Sequence, residues 1–162
     1  MAAGMILLTL PYPVSANVYW STRIVKSNGQ PARAMTYVTK EAEAFRAQVR
    51  GIARAAGLAE PLACRVEMWV RLYPARPQDW AKRARIDPAG WDDDVRCIDL
   101  GNCTKVLDDA LQGIVFDDDR RIWKQHKERM EPDGGPARVV VAIKPMPARL
   151  VAQQGLQLER AA

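Results

Sequence analysis

Histidine is nearly missing from this sequence: His126 stands alone, with no second imidazole to build a zinc-type centre around, so it is expected on the surface. Cysteine is scarce too. Cys64, Cys97 and Cys103 are odd in number and lack metal-type spacing, which excludes a disulfide framework and predicts reduced thiols in a reducing compartment. No apolar run approaches the roughly 18 residues of a membrane span. The opening MAAGMILLTLPYP has no basic segment ahead of its apolar one and is broken by prolines, so it does not read as a secretion signal. Internal repeats and low-complexity tracts are absent. These absences leave one expected class: a cytoplasmic globular protein with no membrane partner and no organic cofactor.

What is present is charge, and it is segregated. The chain of 162 residues carries a net +5, with an isoelectric point near 9.3. From Trp91 to Asp119 there are nine Asp against Arg96 and Lys105, a net of −7, while residues 1–90 carry +7 and residues 120–162 carry +5. Solubility does not require such sorting, because interspersed charges solubilise as well as blocks do. Gathered carboxylates suggest a divalent cation, and basic flanks suggest an anionic partner, with nucleic acid foremost.

Leu100 to Gln112 has the apolar spacing of a short amphipathic helix, through Val106, Leu107, Ala110 and Leu111. Asp99 or Asn102 would cap its start, and Gly113 would stop it. Thirteen helical residues advance about 20 Å, and an extended return from Gly113 would cover about the same distance. Asp119 is thereby expected back near Asp99, with Lys105 partway along the helix. Hard cations such as Mg²⁺ take one or two carboxylates, several waters and phosphate oxygens, which fits this composition.

In chain order, Met5 to Pro11 reads as a strand. Ser21 to Val38, polar and basic with an Asn28-Gly29 turn signal, reads as a loop or a loosely held hairpin. Thr39 to Ala56 is the strongest helix, capped by Thr39 and stopped by Gly57, with Arg46, Arg50 and Arg54 opposite its apolar stripe; that row is either a solvated face or a set of phosphate contacts. Arg65 to Tyr73 alternates as a half-buried strand. Residues 74–95 form a basic, Pro- and Trp-containing excursion without periodicity, whose aromatics either stack on unpaired bases or fold back on the core. Arg121 to Met130 and Ala137 to Lys144 read as strands joined in a hairpin by Glu131-Pro-Asp-Gly-Gly-Pro136, the second strand central because it is nearly all apolar. Residues 145–162 read as a flexible tail. The predicted fold is a two-layer α+β single domain over residues 1–144, in the order strand-helix-strand-helix-strand-strand, with a mixed sheet and helices packed on it.

Three pieces of this sequence together resemble one family. LPYPVSANVYW is similar to the LPxPPSxN opening of the RusA-type crossover junction endodeoxyribonucleases, small Holliday-junction resolvases often found in phages and prophages. The acidic stretch resembles the family's Asp-x-Asp-Asn-x-x-Lys run, here Asp99-Leu-Gly-Asn102-Cys-Thr-Lys105. It continues with Asp109-Ala-Leu111 and Phe116-Asp-Asp-Asp119, like the family's Asp-Ala-Leu and aromatic-x-Asp-Asp. The resemblance covers about residues 5 to 144, with 74–95 as an insertion. It implies a homodimer, nucleoid-associated, that binds four-way junction DNA by shape and makes paired Mg²⁺-dependent nicks in recombination and repair, with Mn²⁺ as the alternative ion and a preference for cytosine-rich steps. Asp99, Asp119 and Lys105 would be catalytic, with Asp99, Asp118 and Asp119 on the metal. Asn17, Arg23, Lys26, Arg76, Lys82, Arg83, Arg85 and Asn102 would contact DNA.

The family's second Asp is Gly101 here. This departure leaves two readings open: an active enzyme that draws its third ligand from elsewhere, Asp118 first, or a junction-binding protein with weak or no cleavage.

Overall fold

The structure is a computed structural model and describes residues 4–26, 29 and 32–147. Its centre is a four-stranded mixed sheet in the order β1 (Ile6–Pro11), β6 (Arg138–Pro145), β4 (Val66–Tyr73), β5 (Ile122–Arg129). The strand alternation read from the sequence decides which face is covered. Val66, Met68, Val70 and Leu72 of β4, with Val139, Val141 and Ile143 of β6, are all at most 1% exposed. Each such side chain contributes about 1.5–3 kcal/mol through burial. Over them pack α2 (Lys40–Ala55), through Phe45 and Val49, and α4 (Leu100–Leu111), through Val106, Leu107 and Leu111. The expected two-layer α+β arrangement and the mixed sheet are what the chain forms.

The caps also follow the sequence. The Thr39 hydroxyl accepts from Ala42 N–H at 3.3 Å and donates to the Val18 carbonyl at 2.7 Å, tying the start of α2 to the short α1 (Ala16–Tyr19). Gly57 and Gly113 follow α2 and α4 with φ of +88° and +71°, the left-handed geometry that lets a helix end without a Cβ penalty.

Several expectations change. β5 and β6 are not a hairpin: β4 lies between them, antiparallel to β6 and parallel to β5. The Gly-Gly turn chemistry is real, with Gly134 at φ +84°, but it is local. It carries no information about a strand from earlier in the chain entering the gap. The excursion at 74–95 is not irregular throughout, since Trp80–Ile86 forms α3. Trp91 folds back on the protein and is buried, its indole N–H donating to Glu131 at 3.0 Å, whereas Trp80 stays 39% exposed beside it.

The segment after α1 is a hairpin of β2 (Trp20–Val25) and β3 (Arg33–Val38), a sheet separate from the main one. Asn28 of its expected turn lies outside the described residues. Ordered structure also passes the expected boundary at 144: Pro145 ends β6, and Met146 N–H donates to the Arg65 carbonyl at 2.8 Å. Residues 148–162 of the expected tail lie outside the described residues.

Candidate active site

Asp99 is the N-cap of α4. One carboxylate oxygen accepts from Asn102 N–H at 2.8 Å and the other from the Asn102 side-chain amide, and these bonds hold its pKa below the usual carboxylate range. A carboxylate at a helix N-terminus is favoured by the exposed backbone N–H groups there. Gly101 sits beneath it, and a Cβ at that position would stand 3.2 Å from the Asp99 carboxylate.

The return path differs from the expected extended leg. Residues 113–116 form a tight turn in which Gly113 N–H donates to the Phe116 carbonyl at 2.7 Å, and Asp119 to Arg121 make one turn of 3-10 helix. The extended stretch running back along α4 is β5. Its Gln125 side chain donates to Asp108 at 2.8 Å, and its Arg129 donates to the carbonyls of Asp92 and Val95 at 2.7 and 2.9 Å, just before the start of α4. Asp119, at the start of the 3-10 turn, acts electrostatically on Asp108 of α4.

Asp108 is the residue that the sequence reading missed. Burial pushes its carboxyl up to about 6, and the neighbouring negative charge of Asp119 adds to the shift, while Gln125 and Lys127 oppose it. Neither Asp108 nor Asp119 has an ion pair among the described residues. Its position was signalled by the helix itself: Asp108 lies one turn beyond the buried Thr104, at the edge of the apolar stripe. Asp99 and Asp108 both raise the pKa of the buried Cys103 thiol, mainly driven up by burial to about 12, so both ends of α4 act on that one point.

Other acids in the stretch have partners. Asp117 receives a two-pronged contact from Arg121, 2.7 Å on each oxygen. Asp109 accepts from the buried Tyr19 hydroxyl and lies 4.0 Å from Arg46. Asp94 pairs with Arg83. Asp118 caps the 3-10 turn, accepting from Arg120 N–H at 3.0 Å, with the Arg120 guanidinium 3.6 Å away. No group of three or more His, Cys, Asp or Glu side chains is gathered in metal-holding geometry among the described residues. The pair of Asp108 and Asp119 nonetheless offers oxygen donors only, which suits a hard cation, and a divalent ion would relieve their repulsion.

Lys105 is exposed, its ammonium 5.0 Å from the centre of the Trp20 ring. Among the residues expected to contact DNA, Asn17, Arg23, Lys26, Lys82 and Arg85 are exposed to solvent. Arg76 and Arg83 are engaged within the protein: Arg76 donates to the Pro132 carbonyl at 3.1 Å and lies 4.3 Å over Trp80, and Arg83 is paired at the surface with Asp79 and Asp94. His126 is exposed, hydrogen-bonded to Glu67 and stacked on Trp69.

No helix among the described residues is long and apolar enough to cross a membrane. No curated protein matches the chain. The family of endodeoxyribonuclease RusA matches residues 11–144, which span the first strand's end, both long helices and the remaining strands of the sheet, including every acid discussed above. A match over most of the chain, on a fold whose helix α4 carries the Asp-x-x-Asn-x-x-Lys run, establishes that this protein belongs to the RusA family of junction-resolving endodeoxyribonucleases.

Proposed function

We propose that this protein nicks four-way DNA junctions in a divalent-metal-dependent reaction, as a homodimer whose two sites cut symmetric strands. The observation that carries this reading is that Asp108, raised mainly by burial, also feels the negative charge of Asp119, while neither has an ion pair among the described residues. Such an arrangement costs stability unless something positive is bound between them.

Asp119, with Asp108 across from it and Asp118 beside it, would hold Mg²⁺, or Mn²⁺ in its place. Asp99 would act from the helix start, where its carboxylate already faces solvent. The ion would supply Lewis-acid polarisation of the scissile phosphate and a lowered pKa for the attacking water. Lys105, held beside Trp20, would neutralise charge developing on the phosphoryl oxygens. Asn17, Arg23, Lys26, Lys82 and Arg85 would follow the phosphate backbone. Arg76 and Arg83 serve instead to fasten the 74–95 segment to the loop ahead of β6 and to itself.

The second reading, a junction-binding protein with weak or no cleavage, is favoured by one observation: Gly101 supplies no carboxylate, and both Asp99 oxygens are already engaged by Asn102. Labelled four-way junction, linear duplex and RNA hairpin, incubated with and without Mg²⁺, separate the two readings. Nicking of the junction alone, and only with metal, is the expected result. Tight junction binding without nicking at any Mg²⁺ or Mn²⁺ concentration selects the second.

A further inference from the structure

The β2–β3 hairpin stands apart from the main sheet, its strands bonded to each other and to no other strand among the described residues. Its base is fixed. Trp20 and Val38 pack against the core, and Tyr19, the residue before β2, is hydrogen-bonded to Asp109 of α4. The Trp20 ring also lies 5.0 Å from the Lys105 ammonium. The hairpin therefore leaves the protein beside the helix that carries Asp99, Lys105 and Asp108.

Beyond that base the ribbon is uncovered on both sides, since Thr22 to Ile24 and Arg33 to Tyr37 are all exposed. Residues directly opposite in an antiparallel pair share a face. Ile24 and Ala34 lie on one face with Thr22 and Thr36, whose hydroxyls are 3.2 Å apart. Arg23, Arg33, Met35 and Tyr37 lie on the other, where the Arg23 guanidinium is 5.6 Å from the centre of the Tyr37 ring. Ile24 is 72% exposed, Tyr37 45% and Met35 36%. A two-stranded ribbon on its own is marginal in water, and this one shows large apolar side chains on both faces. It gains most from a partner that covers both.

Charge names the chemistry of that partner. Between Trp20 and Val38 the charged residues are Arg23, Lys26 and Arg33, and no Asp or Glu occurs in residues 1–40. A polyanion complements such a ribbon. The groove of a continuous duplex would cover one face only, and its stacked base pairs present no opening. Where arms diverge at a branch, base pairs border a gap, and Ile or Met side chains can take the place of a stacking neighbour there.

We propose that the β2–β3 hairpin enters the opening of branched DNA and is the element that distinguishes a junction from linear duplex. Ile24 lies against a base pair of one arm, and Met35 and Tyr37 lie against a base pair of another. Arg23, Lys26 and Arg33 reach the phosphates that border the opening. The inference rests on the junction reading for its DNA partner, and binding measured without nicking tests it separately.

Binding is followed in EDTA with the full-length protein. 2-Aminopurine at the branch of a four-way junction should brighten when wild type binds, because it loses a stacking neighbour, and the same base placed mid-arm should not. Ile24→Ser/Met35→Ser, both at exposed positions, should weaken junction binding roughly tenfold, leave linear-duplex binding and Tm unchanged, and abolish the branch signal. The wild-type fluorescence needs no substitution, so a misfolded variant leaves the test intact. A branch base that stays dark with wild type, or a variant that loses junction and duplex affinity alike, overturns the inference. So does a double variant that light scattering shows to have become monomeric, which gives the hairpin to a second copy of this chain. A branch signal with no nicking once Mg²⁺ is added upholds the hairpin and rejects the nuclease reading. Nicking with no branch signal does the reverse.

Discussion

The negative charge of Asp119 acts on Asp108, whose carboxyl burial, the larger cause, raises to about 6. One residue comes from the last turn of α4 and the other from the 3-10 turn after it. Between them the chain makes the compact turn at residues 113–116, and Asp119 opens the 3-10 turn that leads into β5.

If the acids act as proposed, Asp99→Asn and Asp119→Asn should each abolish junction nicking and leave junction binding equal or tighter, because negative charge facing phosphate is removed. Nicking assays paired with gel-shift titrations check both halves. Near wild-type cleavage in either variant would reject the assignment.

The Asp108 shift sets a direction for stability. Its carboxyl is raised above the unfolded value, so the folded state holds the proton more tightly; stability from this group is fully present below about pH 4 and is lost as pH rises through about 6. Asp108→Asn keeps an acceptor for Gln125 and carries no charge. Melts in EDTA should show the variant more stable than wild type at pH 8, by roughly 1–2 kcal/mol, and equal to it at pH 4. Mg²⁺ should narrow the gap at pH 8 by stabilising wild type only.

Gly101→Asp restores the family's carboxylate one residue inside α4. The new Cβ would stand 3.2 Å from the Asp99 carboxylate, which must shift by a few tenths of an ångström. Replacing an exposed helical Gly near the N-terminus with an acid should gain about 0.5–1 kcal/mol, raising Tm by roughly 1–4 °C. Nicking should saturate at lower Mg²⁺ than in wild type. A variant that is more stable but has an unchanged Mg²⁺ requirement would show that position 101 plays no part in metal affinity.

Junction binding should fall steeply with salt, since each phosphate contact releases counterions with a slope of about −0.9 on duplex DNA. Lys82→Ala and Arg85→Ala should each reduce the slope by about one, whereas Arg76→Ala should instead lower thermal stability, because Arg76 is tied to Pro132 and Trp80. Light scattering should report twice the 18.1 kDa chain mass. An active monomer at micromolar concentration would reject the dimer.

The sequence alone determined what depends on near neighbours along the chain. Thr39 and Asp99 cap the two long helices because a side-chain oxygen three residues ahead of a free backbone N–H needs no tertiary context. The alternation of β4 and the apolar run of β6 identified strands, and even the interior place of β6, which lies between β1 and β4 with one face buried and the other half-covered. The Asp, Asn and Lys spacing at 99, 102 and 105 carried the family.

Tertiary structure alone decided which strands pair and which acids meet. Nothing in Glu131-Pro-Asp-Gly-Gly-Pro136 states that β4 will come between β5 and β6, since pairing partners are selected by the whole sheet's burial and not by the turn. Asp109, Asp117 and Asp108 look alike in sequence, yet Tyr19 takes the first, Arg121 the second, and Gln125 the third, which burial raises under the charge of Asp119. That sorting arises from contacts 4 to 90 positions apart in the chain. A carboxylate's chemistry is set by what folds up against it.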